Sequence, residues 1–77
     1  MTVFVLSCEF EGEFQTLGVF LSLSSALEAL SRQYLEEGER IEDFSAFDGQ
    51  HHAVVYTNIA IYYIDEHILE EVNEYEK

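Results

Sequence analysis

The fold of this chain is decided by residues 3–21, VFVLSCEFEGEFQTLGVFL, in which two apolar stretches flank a short acidic segment. Side chains on one face of a β-strand recur at every second residue, which in the first stretch gives Phe4, Leu6, Cys8 and Phe10. Between the two stretches, Gly12 tolerates the positive φ angle that a tight turn requires. The pattern predicts strands over residues 3–10 and 14–21 that pair as an antiparallel hairpin.

The segment after this hairpin has the spacing of a helix. Ser22 is a candidate N-cap, because its hydroxyl can accept a hydrogen bond from a free N–H group of the first turn. Ser25 and Glu28 offer a second start, a capping box, three residues further on. The apolar positions predict a core-facing stripe formed by Leu23, Ala26, Leu27, Leu30 and Tyr34. Gly38 is predicted to end the helix, since helices often stop at a glycine.

The remaining strands are predicted from three further apolar stretches. The first covers residues 40–47, where Phe44 breaks the alternation and indicates a bulge. Residues 48–49, Asp-Gly, are typical of a hairpin turn and lead into a strand over residues 52–56. Residues 59–64 then continue the pattern, either as part of one long bent strand or as a second short strand.

A second helix is predicted at the C-terminal end, where Asp65 can cap a segment with helical spacing. Its apolar face would contain Ile68, Leu69, Val72 and Tyr75. The predicted order is β-β-α-β-β(-β)-α, typical of an α+β fold in which an antiparallel sheet of four to five strands packs against one main helix. At 77 residues the chain is expected to form one small domain, residues 1–77.

Sixteen acidic residues against three basic ones give a formal net charge of -13 at pH 7, although 48% of the residues are hydrophobic. Acidity combined with low hydrophobicity favours disorder, so acidity on a chain this apolar predicts a folded domain with an anionic surface. That surface repels nucleic acid and anionic membranes, which excludes both as direct partners. It favours the basic surface of another protein, such as a nucleic-acid-binding complex.

The sequence carries no mark of export or membrane insertion. Cys8 is the single cysteine, so no internal disulfide can form and nothing indicates an oxidising compartment. The N-terminal residues lack the basic flank and cleavage site of a signal peptide, and no apolar run reaches the roughly 18 residues of a membrane span. The expected location is the cytoplasm, either of a cell or of a cell that hosts a mobile element.

The positions of the acidic residues matter more than their number, because they fall into three groups. The first alternates at the hairpin turn and consists of Glu9, Glu11 and Glu13. The second recurs every four residues on the predicted C-terminal helix and consists of Glu66, Glu70 and Glu74. The third surrounds the end of the main helix and consists of Glu36, Glu37, Glu39, Glu42 and Asp43. If the strand and helix persist, neighbours within the first two groups stand about 6–7 Å apart on one face.

These groups permit two interpretations. Like charges four residues apart, as in the second group, destabilise a helix. The dipole of a helix disfavours anions at its C-terminal end, where the third group begins. Stability alone therefore predicts such placements poorly. The functional interpretation is DNA mimicry, because a DNA strand presents one phosphate about every 3.4 Å and rows of carboxylates could occupy a basic groove that reads it. The alternative is a solvated surface that keeps a small apolar domain soluble. For the chain as a whole, the sequence supports the two interpretations about equally.

Candidate catalytic and metal-binding residues are few. Cys8 could act as a nucleophile only with a base or cation near its thiol, and its strand neighbours are apolar, so a core position is predicted. The histidines lie beside carboxylates, but no zinc-binding or calcium-binding spacing is present. The sequence therefore predicts no enzyme, no metal site and no cofactor.

Aromatic residues offer a different kind of contact. Tyr62 and Tyr63 are consecutive, so one of them must leave the sheet face that the helix covers. That tyrosine is a candidate contact with a partner or with a second copy of the chain, because aromatic side chains are enriched in interface cores. Core packing is the alternative for this group, which also includes Phe44, Phe47 and Tyr56.

Four short structural motifs are spread over most of the chain. They are Val3-Phe4-Val5-Leu6-Ser7, Gly18-Val19-Phe20, Ala26-Leu27-Glu28-Ala29 and Tyr62-Tyr63-Ile64-Asp65. Together they resemble small uncharacterised bacterial and phage proteins of β-β-α-β-β type, a group from which no catalytic residues carry over.

In size, acidity and lack of catalytic equipment the chain also resembles phage-encoded anti-CRISPR proteins and other DNA-mimic inhibitors, without a defined motif. This resemblance implies a non-enzymatic inhibitor in the host-cell cytoplasm that blocks the nucleic-acid-binding groove of a host defence complex. The alternative is a small structural or regulatory adaptor of a mobile element, which binds through its aromatic surface, either alone or as a homodimer.

Overall fold

The structure, a computed structural model, describes residues 1–48 and 51–69. The strands are Thr2–Phe10 (β1), Glu13–Phe20 (β2), Ile41–Asp48 (β3), His51–Thr57 (β4) and Ile61–Ile68 (β5). The helix, α1, is Leu23–Ala29 and continues as a π-helical turn, Leu30–Tyr34. The strands make one sheet in the order β2-β1-β5-β4-β3, with every neighbouring pair antiparallel. The prediction of an α+β fold with an antiparallel sheet and one main helix is confirmed.

The β1–β2 hairpin is present as the sequence predicts. Its turn has positive φ angles at Glu11 (55°) and Gly12 (84°), which match the primed turn type that suits a twisted hairpin. Phe10 and Glu13 lie opposite each other on either side of this turn. The acidic segment therefore forms the tip of the hairpin.

A β-bulge interrupts the hairpin near its middle. Leu6 lies opposite Gly18 while Ser7 lies opposite Thr16, so Leu17 is the extra residue of β2. Leu17 packs against the core from this position, and its carbonyl accepts a hydrogen bond from the Tyr34 hydroxyl at 3.1 Å. The bulge thus ties the edge strand to the end of the helical segment.

Helix α1 starts at the first of the two predicted positions. The Ser22 hydroxyl accepts a hydrogen bond from the Ser25 backbone N–H at 3.0 Å, which makes Ser22 the N-cap. The predicted stripe faces the core: Ala26 and Leu30 are buried, and the other members pack against them partly buried.

The helical segment ends earlier than the sequence predicts. The Leu35 backbone N–H donates to the Leu30 carbonyl at 3.2 Å, which closes the π-helical turn, and Leu35 itself is extended with a ψ of 137°. Gly38 is therefore not the helix stop; with a φ of 84° it lies in the turn that follows. Leaving the helix early lets Leu35 pack against the core, and this packing overrides the local preference for a glycine stop.

The core lies between the helical segment and one face of the sheet, which we call the inner face. It is formed by Leu6, Ala26, Leu30, Ala53, Val55, Ala60, Tyr62 and Ile64. Strands β1, β4 and β5 supply most of it, so the middle of the sheet is also its most buried part. Within the described residues no helix packs against the opposite face, which we call the outer face.

Residues 65–68 correct one prediction, because they extend β5 instead of starting a second helix. The ladder between β1 and β5 runs without interruption to Thr2 opposite Ile68. Pairing with β1 satisfies the backbone N–H and C=O groups of this stretch, and that non-local ladder outweighs the helix-cap signal of Asp65. The rest of the predicted helix, residues 70–77, lies outside the described residues.

Strands β4 and β5 are two short strands, the second of the two possibilities that the sequence left open. The Thr57 hydroxyl accepts hydrogen bonds from the backbone N–H groups of Ile59 at 3.1 Å and Ala60 at 2.9 Å. These bonds offer the backbone an alternative to the sheet ladder, so β4 ends at Thr57.

Strands β3 and β4 pair as the predicted hairpin, with Asp48 opposite His51. Residues 49–50, which include the predicted turn glycine, lie outside the described residues. The register of β3 shifts before Asp43 and not at Phe44, so the prediction of a bulge is right for the strand but wrong for the residue.

Replacing Ser22 by alanine should destabilise the protein by about 1 kcal/mol, since the Ser25 N–H then loses its acceptor. Ser24→Ala is the matched control, because Ser24 is exposed in the same turn and should change stability by less than about 0.5 kcal/mol. Urea unfolding followed by circular dichroism measures both variants. Equal losses in the two would contradict the assignment of Ser22 as the cap.

Candidate functional site

Three turns meet at one end of the sheet. The Asn58 side chain accepts a hydrogen bond from the Arg40 backbone N–H at 2.8 Å and donates one to the Gly38 carbonyl at 3.3 Å. These bonds join the segment after the helix to the β4–β5 turn. The tip of the β1–β2 hairpin lies beside them, since Glu11 and Gly12 share a surface groove with Asn58. Two of the three predicted acidic groups therefore converge at this end.

We call the carboxylates of this end that reach solvent the acidic end: Glu9, Glu11, Glu13, Glu36, Glu37, Glu42 and Asp43. The first three do not form one row along a strand face, because β1 ends at Phe10 and the turn reverses the chain before Glu13. Glu9 instead projects onto the outer face, where it accepts a hydrogen bond from the Tyr63 hydroxyl at 2.6 Å. The acidic end is therefore a cluster of carboxylates that come from separate segments of the chain.

Positive charge at the acidic end is limited, among the described residues, to Arg40. Its guanidinium lies 3.7 Å from the Glu42 carboxylate, and both side chains are exposed, so the pair is weak. Arg32 pairs with Glu28 at 3.4 Å on the helix surface. In the part of the chain that the structure describes, the other carboxylates of the acidic end form no salt bridge.

Glu39 belongs to the same sequence group but is buried, with 8% of its surface exposed. Its carboxylate accepts hydrogen bonds from the Glu36 backbone N–H at 2.8 Å, the Thr57 hydroxyl at 2.6 Å and the Tyr62 hydroxyl at 2.8 Å. Burial raises the pKa of this carboxyl, but the three hydrogen bonds outweigh burial and hold the pKa below its ordinary value. Glu39 therefore stays ionised inside the protein and adds nothing to an exposed row.

A cavity of about 240 Å³ lies beside Glu39, and Cys8 and Tyr62 are in its wall. Burial raises the pKa of the Cys8 thiol, and the negative charge of Glu39 raises it further. A hydrogen bond with Tyr62 lowers this pKa, but by less than the other two effects raise it. Burial and the hydrogen bond to Glu39 likewise raise the pKa of Tyr62 far above its ordinary value. Both groups stay protonated at neutral pH, so the cavity contains no activated nucleophile.

Sequence reasoning missed this cavity and the separate role of Glu39. In the sequence Glu39 looks like its exposed neighbours Glu36 and Glu37, and no local pattern distinguishes it. Its partners Thr57 and Tyr62 are 18 and 23 residues away and reach it only through the fold. The same holds for Cys8, for which the sequence predicts a core position; it packs against the core only partly buried and lines the cavity.

The acidic group predicted on the C-terminal helix is not assembled within the described residues. Glu66 lies on β5 opposite Phe4, at the end of β1 farthest from the acidic end. Its carboxylate lies 3.4 Å from the His52 ring nitrogen Nδ1. Glu70 and Glu74 lie outside the described residues. Glu66 thus belongs to a different surface from the acidic end.

Tyr62 and Tyr63 lie on opposite faces of the sheet, as the sequence predicts. Tyr62 is 4% exposed in the core, whereas the Tyr63 ring lies on the outer face, 4.4 Å from the His51 ring and 5.8 Å from the Phe14 ring. Phe14 is 66% exposed and Val19 59% exposed. The outer face therefore presents apolar side chains along the edge strand β2.

Neither a metal site nor a membrane-spanning helix is found in residues 1–48 and 51–69. In these residues, no group of three or more histidine, cysteine or acidic side chains is placed to hold a metal ion. No helix there has the length and apolar character to cross a membrane. No protein-family model matches the chain, and comparisons with curated proteins and with solved structures also give no match.

The lowered pKa of Glu39 predicts a specific sensitivity to acid. An unfolded glutamate titrates near pH 4.3, about its ordinary pKa. Between that pH and the lower pKa of Glu39 in the folded state, the unfolded chain binds more protons than the folded protein does. In this interval the free energy of unfolding therefore rises with pH. The Glu39 contribution is complete above the ordinary pKa and is lost as the pH falls through the folded-state value. Urea unfolding at pH values from about 6 to about 3 measures this loss.

Glu39→Gln should remove this part of the acid-induced loss of stability. Glu37→Gln is the matched control, because its carboxylate is exposed two residues away, and it should leave the loss in place. Identical pH dependence in Glu39→Gln and in the unaltered protein would show that Glu39 is not a buried ionised group.

Proposed function

We propose that this protein is a non-enzymatic acidic inhibitor that binds the basic, nucleic-acid-binding surface of another protein or complex. The observation that supports this best is the acidic end, where the hairpin tip, the segment after the helix and the start of β3 bring carboxylates together. Among the described residues, Arg40 is the basic side chain that accompanies them. Gathering like charges in one place opposes folding through repulsion, so stability alone does not account for the arrangement.

The acidic end would act on a basic partner at two ranges. Its charges together attract a basic surface that comes within the Debye length, about 8–10 Å at moderate salt. This attraction speeds association. On contact the carboxylates would take positions that phosphates otherwise occupy. The acidic end is a cluster at one end of the sheet and not a straight row along a face. It would therefore fit a concave basic groove better than a flat basic surface.

A complex that binds nucleic acid through a basic groove is the proposed target. In size, acidity and absence of predicted catalytic residues the chain is similar to phage-encoded anti-CRISPR proteins, so a host defence complex is the target class we propose. The host-cell cytoplasm is the corresponding location. With a net charge of -13, direct binding to nucleic acid or to an anionic membrane is disfavoured.

Reversing charge at the acidic end should abolish inhibition. Glu11→Lys combined with Glu37→Lys changes two exposed carboxylates of the acidic end, whereas Glu28→Lys combined with Glu66→Lys makes the same change in net charge elsewhere. Native mobility shift of target DNA with purified RNA-guided defence complexes measures inhibition. The unaltered protein and the second variant should block DNA binding, and the first variant should not.

Salt dependence gives a second measurement of the same proposal. Capture of the inhibited complex by the immobilised protein should weaken by at least about tenfold between about 50 mM and about 500 mM salt. If the variant with lysine at positions 11 and 37 is folded by circular dichroism and still inhibits, the acidic end is not the binding surface.

A second function, an adaptor of a mobile element that binds through an aromatic surface or as a homodimer, is favoured by the outer face. Phe14 and Val19 are exposed on the edge strand β2, beside the half-buried Tyr63. Only one residue of β2, Glu13, is charged. Apolar, nearly uncharged edge strands are typical sites of pairing with another chain.

Under this second function, Phe14→Ser should convert a dimer to a monomer or abolish partner capture, with little dependence on salt. Leu21→Ser is the matched control, because Leu21 is 72% exposed but lies outside the strands. Size-exclusion chromatography with light scattering measures the molar mass. A monomeric unaltered protein at a concentration of about 100 µM would contradict the homodimer.

A further inference from the structure

The cavity beside Glu39 combines apolar walls with negative charge. Its apolar and aromatic lining comes from Phe10, Leu17, Tyr34, Ile59, Ala60 and Tyr62. Its charged lining comes from Glu36 and Glu39, and Gln15 adds a polar side chain from the exposed edge strand. At about 240 Å³ the cavity is below the usual range for drug-sized ligands, about 300–1,000 Å³, and suits a group of a few heavy atoms.

The Glu39 carboxylate lacks a compensating cation in the part of the chain that the structure describes. Its three hydrogen-bond donors are all neutral, and it forms no salt bridge there. Its pKa is nevertheless lowered, so the charge persists. Buried charges are normally paired, because leaving one unpaired in a medium of low polarity is unfavourable. With Glu36 beside it, the cavity has two carboxylates in its lining and therefore a negative potential.

We infer that this cavity binds a cationic nitrogen group, an ammonium or a guanidinium, carried on a short apolar stem. The cation would lie against Glu39 and Glu36, while the stem would contact Leu17 and Ile59, as lysine and arginine stems do on apolar surfaces. The Tyr34 ring adds an aromatic wall, and cations are attracted to such rings. Anions are repelled by the same carboxylates, and a neutral ligand leaves their charge uncompensated.

Two sources can supply such a group, namely a free small amine and a lysine or arginine side chain of a partner protein. We assign it to a partner's side chain, and this step rests on the function proposed above. Glu36 belongs both to the cavity and to the acidic end, so a basic partner docked on the acidic end would cover the cavity. A buried basic side chain is a common anchor of protein interfaces.

n-Butylammonium is the probe that tests the cavity, and n-butanol, with the same number of heavy atoms and no charge, is its matched control. Each is titrated into the isotope-labelled protein and followed by two-dimensional NMR. n-Butylammonium should cause saturable shifts at the amides of Cys8, Leu17 and Ala60, with a Kd on the order of millimolar. n-Butanol should bind at least about fivefold more weakly. Equal binding of the two probes, or shifts that do not saturate, would overturn the inference.

Variants locate the binding within the molecule. Gln15→Trp places a bulky side chain in the cavity from an exposed position and should abolish binding. Glu39→Gln should weaken it by about tenfold or more. Because Glu39 also contributes to folding, Glu36→Gln is a second charge variant at an exposed site and should weaken binding by about threefold. Glu37→Gln is the matched control and should leave the Kd unchanged.

Two results with these variants would overturn the inference. One is full binding to the folded Gln15→Trp variant. The other is an equal loss in Glu36→Gln and Glu37→Gln, since the probe would then sense only the general charge of the surface.

Nα-acetyl-lysine N-methylamide separates the two sources of the cation. A Kd similar to that of n-butylammonium supports a partner's side chain, whereas binding of the free amine alone overturns that assignment. None of these titrations uses a target complex, so the outcome is independent of inhibition. A cavity that binds neither probe leaves the acidic end as an inhibitory surface, and a protein that binds both but inhibits nothing overturns only the proposed function.

Discussion

The hydrogen-bonded Glu39 carboxylate is the interaction that holds the segment after the helix, and with it Glu36 of the acidic end, against the sheet. It joins the segment after the helix, through the Glu36 N–H, to Thr57 at the end of β4 and to Tyr62 in the core. A buried carboxylate that lost such donors would be left with the full penalty of its desolvation. The segment is therefore held against the sheet, which fixes where Glu36 projects and closes one wall of the cavity.

A buried carboxylate is an unusual component of a fold formed by 77 residues, because chains of this length have a thin margin of stability. Apolar replacements of buried ionic groups are often neutral or stabilising, so stability is a weak reason to keep such a group. Its specific effect here is geometric, since three donors from distant parts of the chain converge on it. Glu39 occupies a position that an apolar side chain could fill. Its hydrogen bonds in turn fix the position of the exposed Glu36 beside it.

The features that the sequence predicts correctly are those set by neighbours along the chain. The hairpin follows from alternation and from a turn that accepts positive φ, and the helix start follows from the Ser22 hydroxyl. The features that it predicts wrongly depend on distant partners. Asp65 carries a sound helix-cap signal, but β1 offers a ladder that only the folded sheet provides. Glu39 is missed for the same reason, because its burial depends on residues far along the chain.

A negative surface attracts every basic surface at long range, so charge alone sets the rate of encounter and provides little choice of partner. Choice requires a short-range feature with a shape of its own. In the proposed function the cavity would be that feature, because it shares Glu36 with the acidic end and has in its wall the Glu39 carboxylate, which is buried, ionised and, within the described residues, without a cationic partner. A partner that merely carries positive charge would be attracted, whereas a partner with a basic side chain placed to enter the cavity would also be retained. Long-range attraction and short-range selection would then be linked through Glu36, which belongs to both surfaces and lies in the segment that the Glu39 carboxylate holds against the sheet.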